Sequence, residues 1–158
     1  MVGGVSSNVD HLAFAERVFL LPLLRMHQLI YQATRGRLGH RLLPGMPPCL
    51  LLHTTGAKTG KARASTLVYA RDERDYLVVA SYGGAPMAPA WLHNLRHNPH
   101  AEINVAESRI RVAARAVLPG DSDYAKVWRI VNQNSSGQFD RYQQRTTRPI
   151  PVVVLSPL

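Results

Sequence analysis

The sequence predicts an α+β fold in which six mainly antiparallel strands form a closed or split barrel with a few helices at its periphery. Three observations carry that expectation. Apolar, strand-like runs recur at short intervals from Cys49 to the C-terminus. Two of the links between them, Asp72-Glu73-Arg74-Asp75 and Ala106-Glu107-Ser108, are so short that they require antiparallel neighbours. Helical patterns are few and unevenly spaced, which argues against a doubly wound parallel sheet.

In chain order, residues 1 to 8 are rich in Gly, Ser and Val and are expected to fray. Asp10 can cap an amphipathic helix running through Leu12, Phe14, Ala15, Val18, Phe19 and Leu21. Pro22 then kinks or ends it before a second apolar set at Leu23, Leu24, His27, Ile30 and Tyr31. We expect a helical arm over 1–45 and the barrel domain over 46–158. The arm is either a cover for the domain or, given Arg17, Arg25, Arg35, Arg37 and Arg41, a peripheral contact with anionic lipid. Its apolar stretch is too short and too charged for a signal peptide or a spanning helix, so the expected location is the cytoplasm, with the inner face of the membrane as the alternative. After the breakers at Gly36, Gly39 and Pro44 to Pro48, strands are expected at 49–55, 63–71, 75–81, 101–106, 109–118 and 151–155. Helices are expected at 89–97, 122–133 and 138–145.

Composition narrows the function. With 158 residues, 46% of them hydrophobic, the chain can pack one domain core. A formal charge of +9, from 19 Lys plus Arg against 10 Asp plus Glu, calls for an anionic partner. The charge is locally concentrated: residues 49 to 71 hold Lys58, Lys61, Arg63 and Arg71 with no acid among them. Nucleic acid is not the expected partner, because no RNA or DNA motif is present and aromatic residues for stacking are few. Cys49 is the only cysteine, which excludes an internal disulfide and a multi-cysteine metal site; its apolar neighbours make it a core residue rather than a nucleophile.

Two glycine-rich turns suggest a cofactor cradle. Thr54 to Gly60 reads TTGAKTG, which differs from a Walker loop because its second glycine follows the lysine and a strand comes next. As a hairpin it could offer backbone N–H groups, hydroxyls and ammonium groups to a phosphodiester or carboxylates, and equally it could be a solvated turn. Gly83-Gly84-Ala85-Pro86 offers backbone that can approach a flat ring without a Cβ in the way. Tyr82 precedes those glycines, and Trp91 and Asn94 follow on a short helix, where Trp91 can serve packing, ligand contact or both. His93 and His97 share a helical face, but no carboxylate accompanies them and no metal site is expected. Ser81 lacks a G-x-S-x-G context, so hydrolase chemistry is not expected.

These residues together resemble the deazaflavin (coenzyme F420)-dependent nitroreductase family of actinobacteria. The likeness rests on T-T-G-x-K-T-G at 54 to 60, S-x-L-V-Y-A-R-D at 65 to 72, V-V-A-S-x-G-G-A-P at 78 to 86, P-A-W-x-x-N-L at 89 to 95, and Y-Q-x-R-T-x-R-x-I-P-V-V-V-L from Tyr142 to Leu155. Each piece is weak alone; their joint order is specific. The resemblance implies a split β-barrel of the FMN-binding kind with F420 in a groove along its side. It implies that Lys58, Thr59 and Arg63 hold the phosphate and the start of the oligoglutamate tail, that Ser81, Tyr82, Gly83, Gly84, Ala85 and Pro86 line the deazaflavin ring, and that Trp91 and Asn94 brace this wall. Hydride would pass to a quinone, an enone or a nitroaromatic acceptor, with Tyr142 or Ser81 donating a hydrogen bond to the developing oxyanion. Two departures stand out. Ala57 and Tyr82 occupy positions where relatives often carry Arg and Lys. Ser136, Phe139 and Tyr142 replace a run of tyrosines used by nitroimidazole-reducing relatives, and a phenyl ring cannot donate a proton. The rival readings are an FMN-binding reductase or oxidase on the same barrel, a basic nucleic-acid-binding module, and a heme or lipid carrier; the chain could be a monomer or a dimer.

Overall fold

The structure, a computed structural model, describes residues 47–158. The arm expected over 1–45 lies outside the described residues. Six strands, β1 (Cys49–Thr55), β2 (Ala62–Asp72), β3 (Asp75–Val79), β4 (His100–Val105), β5 (Ser108–Val117) and β6 (Val152–Pro157), are joined by three helices, α1 (Ala90–His97), α2 (Tyr124–Asn134) and α3 (Gln138–Gln143). Every strand pair is antiparallel. The strands close into a barrel in the order β1-β2-β3-β6-β5-β4.

Turn chemistry fixes the register of the two tight hairpins. Asp72 pairs with Asp75 and Val105 with Ser108, and each two-residue loop opens on a residue in the left-handed region, Glu73 at φ 53° and Ala106 at φ 50°. Positive φ matches the right-handed twist of the flanking strands, which is why loops of this length adopt it.

Alternation along the strands then builds two cores. Leu50, Leu52, Tyr69, Tyr76, Val78, Ile103, Val112, Val153 and Leu155 pack with one another and with Trp91, Leu92 and Leu95 of α1. The intervening Ala70, Leu77, Val79, Val152 and Val154 pack instead beneath Val127 and Val131 of α2 and Phe139 of α3. A period of two thus gives β2, β3 and β6 two buried faces, one inside the barrel and one under the helical layer. Each fully buried Leu or Val contributes about 1.5–3 kcal/mol relative to exposure. Lys126 of α2 adds an ion pair to Asp72 at 2.7 Å.

The boundaries differ from expectation in instructive places. β3 ends at Val79 rather than 81, because Tyr82–Gly84 form a single 3₁₀ turn. β6 runs to Pro157, which pairs with Val112 as the last rung of its ladder, where a proline needs no N–H. α2 begins at Tyr124 rather than 122, and α3 stops at Gln143 rather than 145. Cys49 is a buried core residue, and burial pushes its thiol up to about 11, so it stays protonated at neutral pH. No described helix is long and apolar enough to cross a membrane.

Candidate functional site

The basic hairpin between β1 and β2 and the N-terminal part of α1 enclose a groove of about 610 Å³ lined by Gly56, Ala57, Lys58, Thr59, Arg63, Ser65, Trp91, His93 and Asn94, among others. Five residues expected to hold a cofactor, Lys58, Thr59, Arg63, Trp91 and Asn94, therefore meet in one place. Lys58, Thr59 and Arg63 are exposed, and no carboxylate lines the groove. A phosphate or carboxylate entering it meets only positive charge.

The hairpin's backbone is less available than its glycines imply. The Gly56 N–H donates to the Lys61 carbonyl at 2.8 Å, and the Gly60 and Thr59 N–H groups both donate to the Gly56 carbonyl, at 2.7 and 3.2 Å. The Ala57 N–H donates to Asn94 Oδ1 at 3.0 Å, and the Lys61 N–H reaches Thr59 Oγ1 at 3.4 Å. Only the Lys58 N–H in this loop lacks a partner among the described residues. The sequence expectation of an amide-lined cradle is corrected to a closed turn that offers side-chain charge and one amide. The turn closes because Gly60, at φ 64°, reverses the chain so that Lys61 can fold back on Gly56.

Asn94 ties that turn to the barrel. Its Oδ1 accepts from the Ala57 N–H, and its Nδ2 donates to Thr54 Oγ1 at 3.0 Å; both Asn94 and Thr54 are buried. The bracing expected of it toward the glycine wall goes instead to the basic hairpin. Trp91 is 7% exposed, packs in the barrel core and also lines the groove.

Ser81, Tyr82, Gly83, Gly84, Ala85 and Pro86 do not line this groove. They form a separate turn linked to it through the core, where Ala80 and Trp91 belong to the same packed cluster. The turn is unusual: Tyr82, Gly83 and Gly84 lie in succession at φ 48°, 67° and 81°. A Cβ on Gly83 would meet nothing within 4 Å, so that residue presents bare backbone outward. A Cβ on Gly84 would sit 2.6 Å from the Tyr142 carbonyl oxygen and 2.9 Å from Arg145 Cβ, so Gly84 is the contact on which α3 and the residues after it rest. The Ser81 carbonyl accepts from the Gly84 N–H at 3.0 Å, while the Ser81 hydroxyl has no partner among the described residues. Tyr142 is half-buried; its hydroxyl accepts from Gln138 Nε2 at 2.6 Å, which leaves its own proton free to donate.

Arg148, to which sequence reasoning gave no role, fastens this turn. Its Nη2 donates to the carbonyls of Ser81 at 3.0 Å, Ala80 at 3.3 Å and Ala85 at 3.4 Å, and its Nε also reaches Ala85 at 3.4 Å. Burial, and then the nearby Arg96, lower its pKa from the usual guanidinium range. The available signal was an arginine in a stretch, Arg145 to Pro149, without a carboxylate to pair with. Ser65 and His93, which also line the groove, were not expected there. Among the described residues, no group of three His, Cys, Asp or Glu side chains is placed to hold a metal ion.

A closed six-stranded antiparallel barrel with a few peripheral helices matches the fold of F420-dependent reductases. Residues 23–157 match the family model for F420H(2)-dependent quinone reductase. The F420H(2)-dependent quinone reductase Rv1261c of Mycobacterium tuberculosis is 54% identical over 148 residues, covering 94% of this chain and 99% of that protein. The chain belongs to the F420H(2)-dependent quinone reductase family. Among solved structures, an F420-H2 dependent reductase, FDR-A, superposes with a TM-score of 0.62 at 30% identity, over 69% of this chain and 94% of that one. Another, described as a domain-swapped dimer, gives a TM-score of 0.64 at 28% identity, over 81% of this chain and 96% of that one.

Proposed function

We propose that the protein oxidises F420H2 and reduces a quinone, with the coenzyme held between the basic groove and the glycine turn. The observation that carries this reading is the convergence of Lys58, Thr59 and Arg63 with Trp91 and Asn94 in one carboxylate-free groove, in a chain of this family. The residues present suit the coenzyme chemically. Exposed cations and the unpartnered Lys58 N–H match a phosphate and the first tail carboxylates, and the bare outer face of Gly83 suits a flat ring. FMN also carries a phosphate, but the family and the 54% identical relative favour F420.

When bound, F420H2 supplies a hydride, two electrons and one proton's worth of hydrogen; a quinone that accepts it needs one further proton to become a quinol. The chain's own part is then positional and electrostatic. Lys58 and Arg63 fix the anionic end, the turn from Ser81 to Pro86 backs the ring, and Tyr142 directs its free hydroxyl proton at the acceptor oxygen. The Ser81 hydroxyl is the second candidate donor. Enones and nitroaromatics offer the same kind of developing oxyanion, whereas Phe139 is buried and has no proton to give, which disfavours nitroimidazoles. The division into an arm over 1–45 and a barrel over 46–158 is retained in this reading, with the basic arm bringing the cytoplasmic enzyme to a membrane that holds quinone. Dimerisation, for which the domain-swapped neighbour is a precedent, is compatible with it.

Steady-state oxidation of F420H2 by a soluble quinone, followed by the return of the oxidised deazaflavin absorbance, tests the activity. Tyr142→Phe is expected to lower kcat/KM by about tenfold or more, in the range for a positioned proton donor. Full activity in that variant would reduce Tyr142 to packing, and no turnover by the wild type would remove the proposal.

A further inference from the structure

We propose that Arg148 is a positioning residue, which holds the Ala80–Ala85 turn in its left-handed form and so sets the wall against which the deazaflavin is stacked. The inference rests on the reading above for what the wall binds, but its structural half is independent of that reading.

The turn has few backbone ties of its own. Tyr82 is a bulky residue at φ 48°, followed by two more left-handed residues, and only two backbone hydrogen bonds close it: Gly84 N–H to the Ser81 carbonyl and Ala85 N–H to the Tyr82 carbonyl at 3.2 Å. A side chain in that region is strained and persists only where its surroundings over-determine it. The surroundings here are the end of α3, pressed on Gly84, and one cation that reaches both ends of the turn. Three carbonyls, from Ala80, Ser81 and Ala85, converge on the Arg148 fork from both ends of the turn. Carbonyl oxygens brought together repel one another, and a guanidinium among them converts that repulsion into charge-assisted hydrogen bonds. Arg148 forms no salt bridge among the described residues, so its charge is committed to the turn.

Its own backbone is held in turn. Gln143 Nε2 donates to the Thr146 and Arg148 carbonyls at 3.0 Å each, and Gln143 Oε1 accepts from the Ile150 N–H at 2.9 Å. The end of α3, the loop to β6 and the glycine wall therefore form one braced unit. Lysine in place of Arg148 keeps the charge but not the fork, and cannot bridge both ends of the turn in the same way.

The test uses the full chain and the variants Arg148→Lys and Arg148→Met, with two readouts. Amide hydrogen exchange of the protein without coenzyme measures the turn itself: Gly84 and Ala85 are expected to exchange at least about tenfold faster in Arg148→Met, while β1 and β3 amides keep their protection. Fluorescence titration with oxidised F420, well below the melting temperature, measures the consequence. Kd is expected to rise about tenfold in Arg148→Met, with Arg148→Lys intermediate. Unchanged exchange at Gly84 and Ala85 would overturn the proposal, as would uniform acceleration across the barrel in both variants, since that marks a general packing role. Faster local exchange with unchanged Kd would also overturn it, by detaching the turn from binding. If the wild type itself takes up no F420, the proposed function fails, and the exchange comparison still decides whether Arg148 holds the turn.

Discussion

Gly84→Ala is expected to be the most damaging single-methyl change in the described part of the chain, while the same change one residue earlier costs far less stability. The added Cβ would lie 2.6 Å from the Tyr142 carbonyl oxygen, a backbone atom that cannot rotate away, and the residue must keep φ at 81°. Left-handed strain costs about 1–3 kcal/mol and forced repacking a further 1–3 kcal/mol, so a loss of about 3 kcal/mol is expected. For a domain of this size that is a fall of roughly 10 °C in Tm. At Gly83 the methyl meets nothing within 4 Å, so only the strain remains, about 1 kcal/mol. The two substitutions should therefore separate: Gly84→Ala lowers Tm sharply, whereas Gly83→Ala keeps most of the stability and weakens F420 binding, because its methyl occupies the face proposed to meet the ring. Differential scanning calorimetry and a coenzyme titration on both variants check this. Equal Tm losses would show that the packing of α3 on Gly84 is not the stiff contact described here.

The second large effect is expected at Asn94. Truncation to alanine removes two hydrogen bonds at once and strands the Ala57 N–H and the buried Thr54 hydroxyl. Each unsatisfied group costs about 1–3 kcal/mol, so Asn94→Ala should lose about 2–6 kcal/mol and loosen the hairpin that carries Lys58. Asn94→Asp discriminates stability from binding. A carboxylate can still accept from Ala57 N–H and from the Thr54 hydroxyl, which preserves the tie, but it sets a negative charge beside Lys58 and Arg63. Urea unfolding should find Asn94→Asp closer to wild type than Asn94→Ala, while its affinity for F420 falls by about tenfold at low salt. If both variants unfold and bind like the wild type, the Asn94 tie is not what holds the groove.

These two residues also show how far the sequence could be read. The barrel was legible because strand alternation and two very short turns leave little freedom: the pairing of Asp72 with Asp75 follows from having only Glu73 and Arg74 between them. The basic lip was legible by composition, since Lys58, Lys61 and Arg63 fall within six residues, whereas the grouping of Lys58, Thr59 and Arg63 with Trp91 and Asn94 came from the family resemblance. Long-range ties were not legible. Nothing local in P-A-W-x-x-N-L says that Asn94 bonds Ala57, 37 residues away, nor that Arg148 reaches back 67 residues to Ser81. A glycine likewise does not announce its reason: Gly83 and Gly84 are adjacent and identical in sequence, yet one is bare because a surface is open and the other because a carbonyl is pressed against it. The amides of the Gly56–Lys61 turn looked available for an anion because closure of a turn on itself is set by φ values that the sequence does not fix.

The coupling of the two glycine-rich turns into one binding site is the claim on which the account stands, and a two-dimensional amide NMR titration of the full chain with oxidised F420 at low ionic strength tests it most directly. Resonances of Lys58 and Thr59 in the hairpin and of Gly83 and Gly84 in the turn are expected to shift together and to saturate along a single isotherm that weakens as salt is added. Perturbation of the hairpin alone, with the glycine turn unmoved at saturation, would contradict the account and leave the groove as an anion site without a wall for the ring.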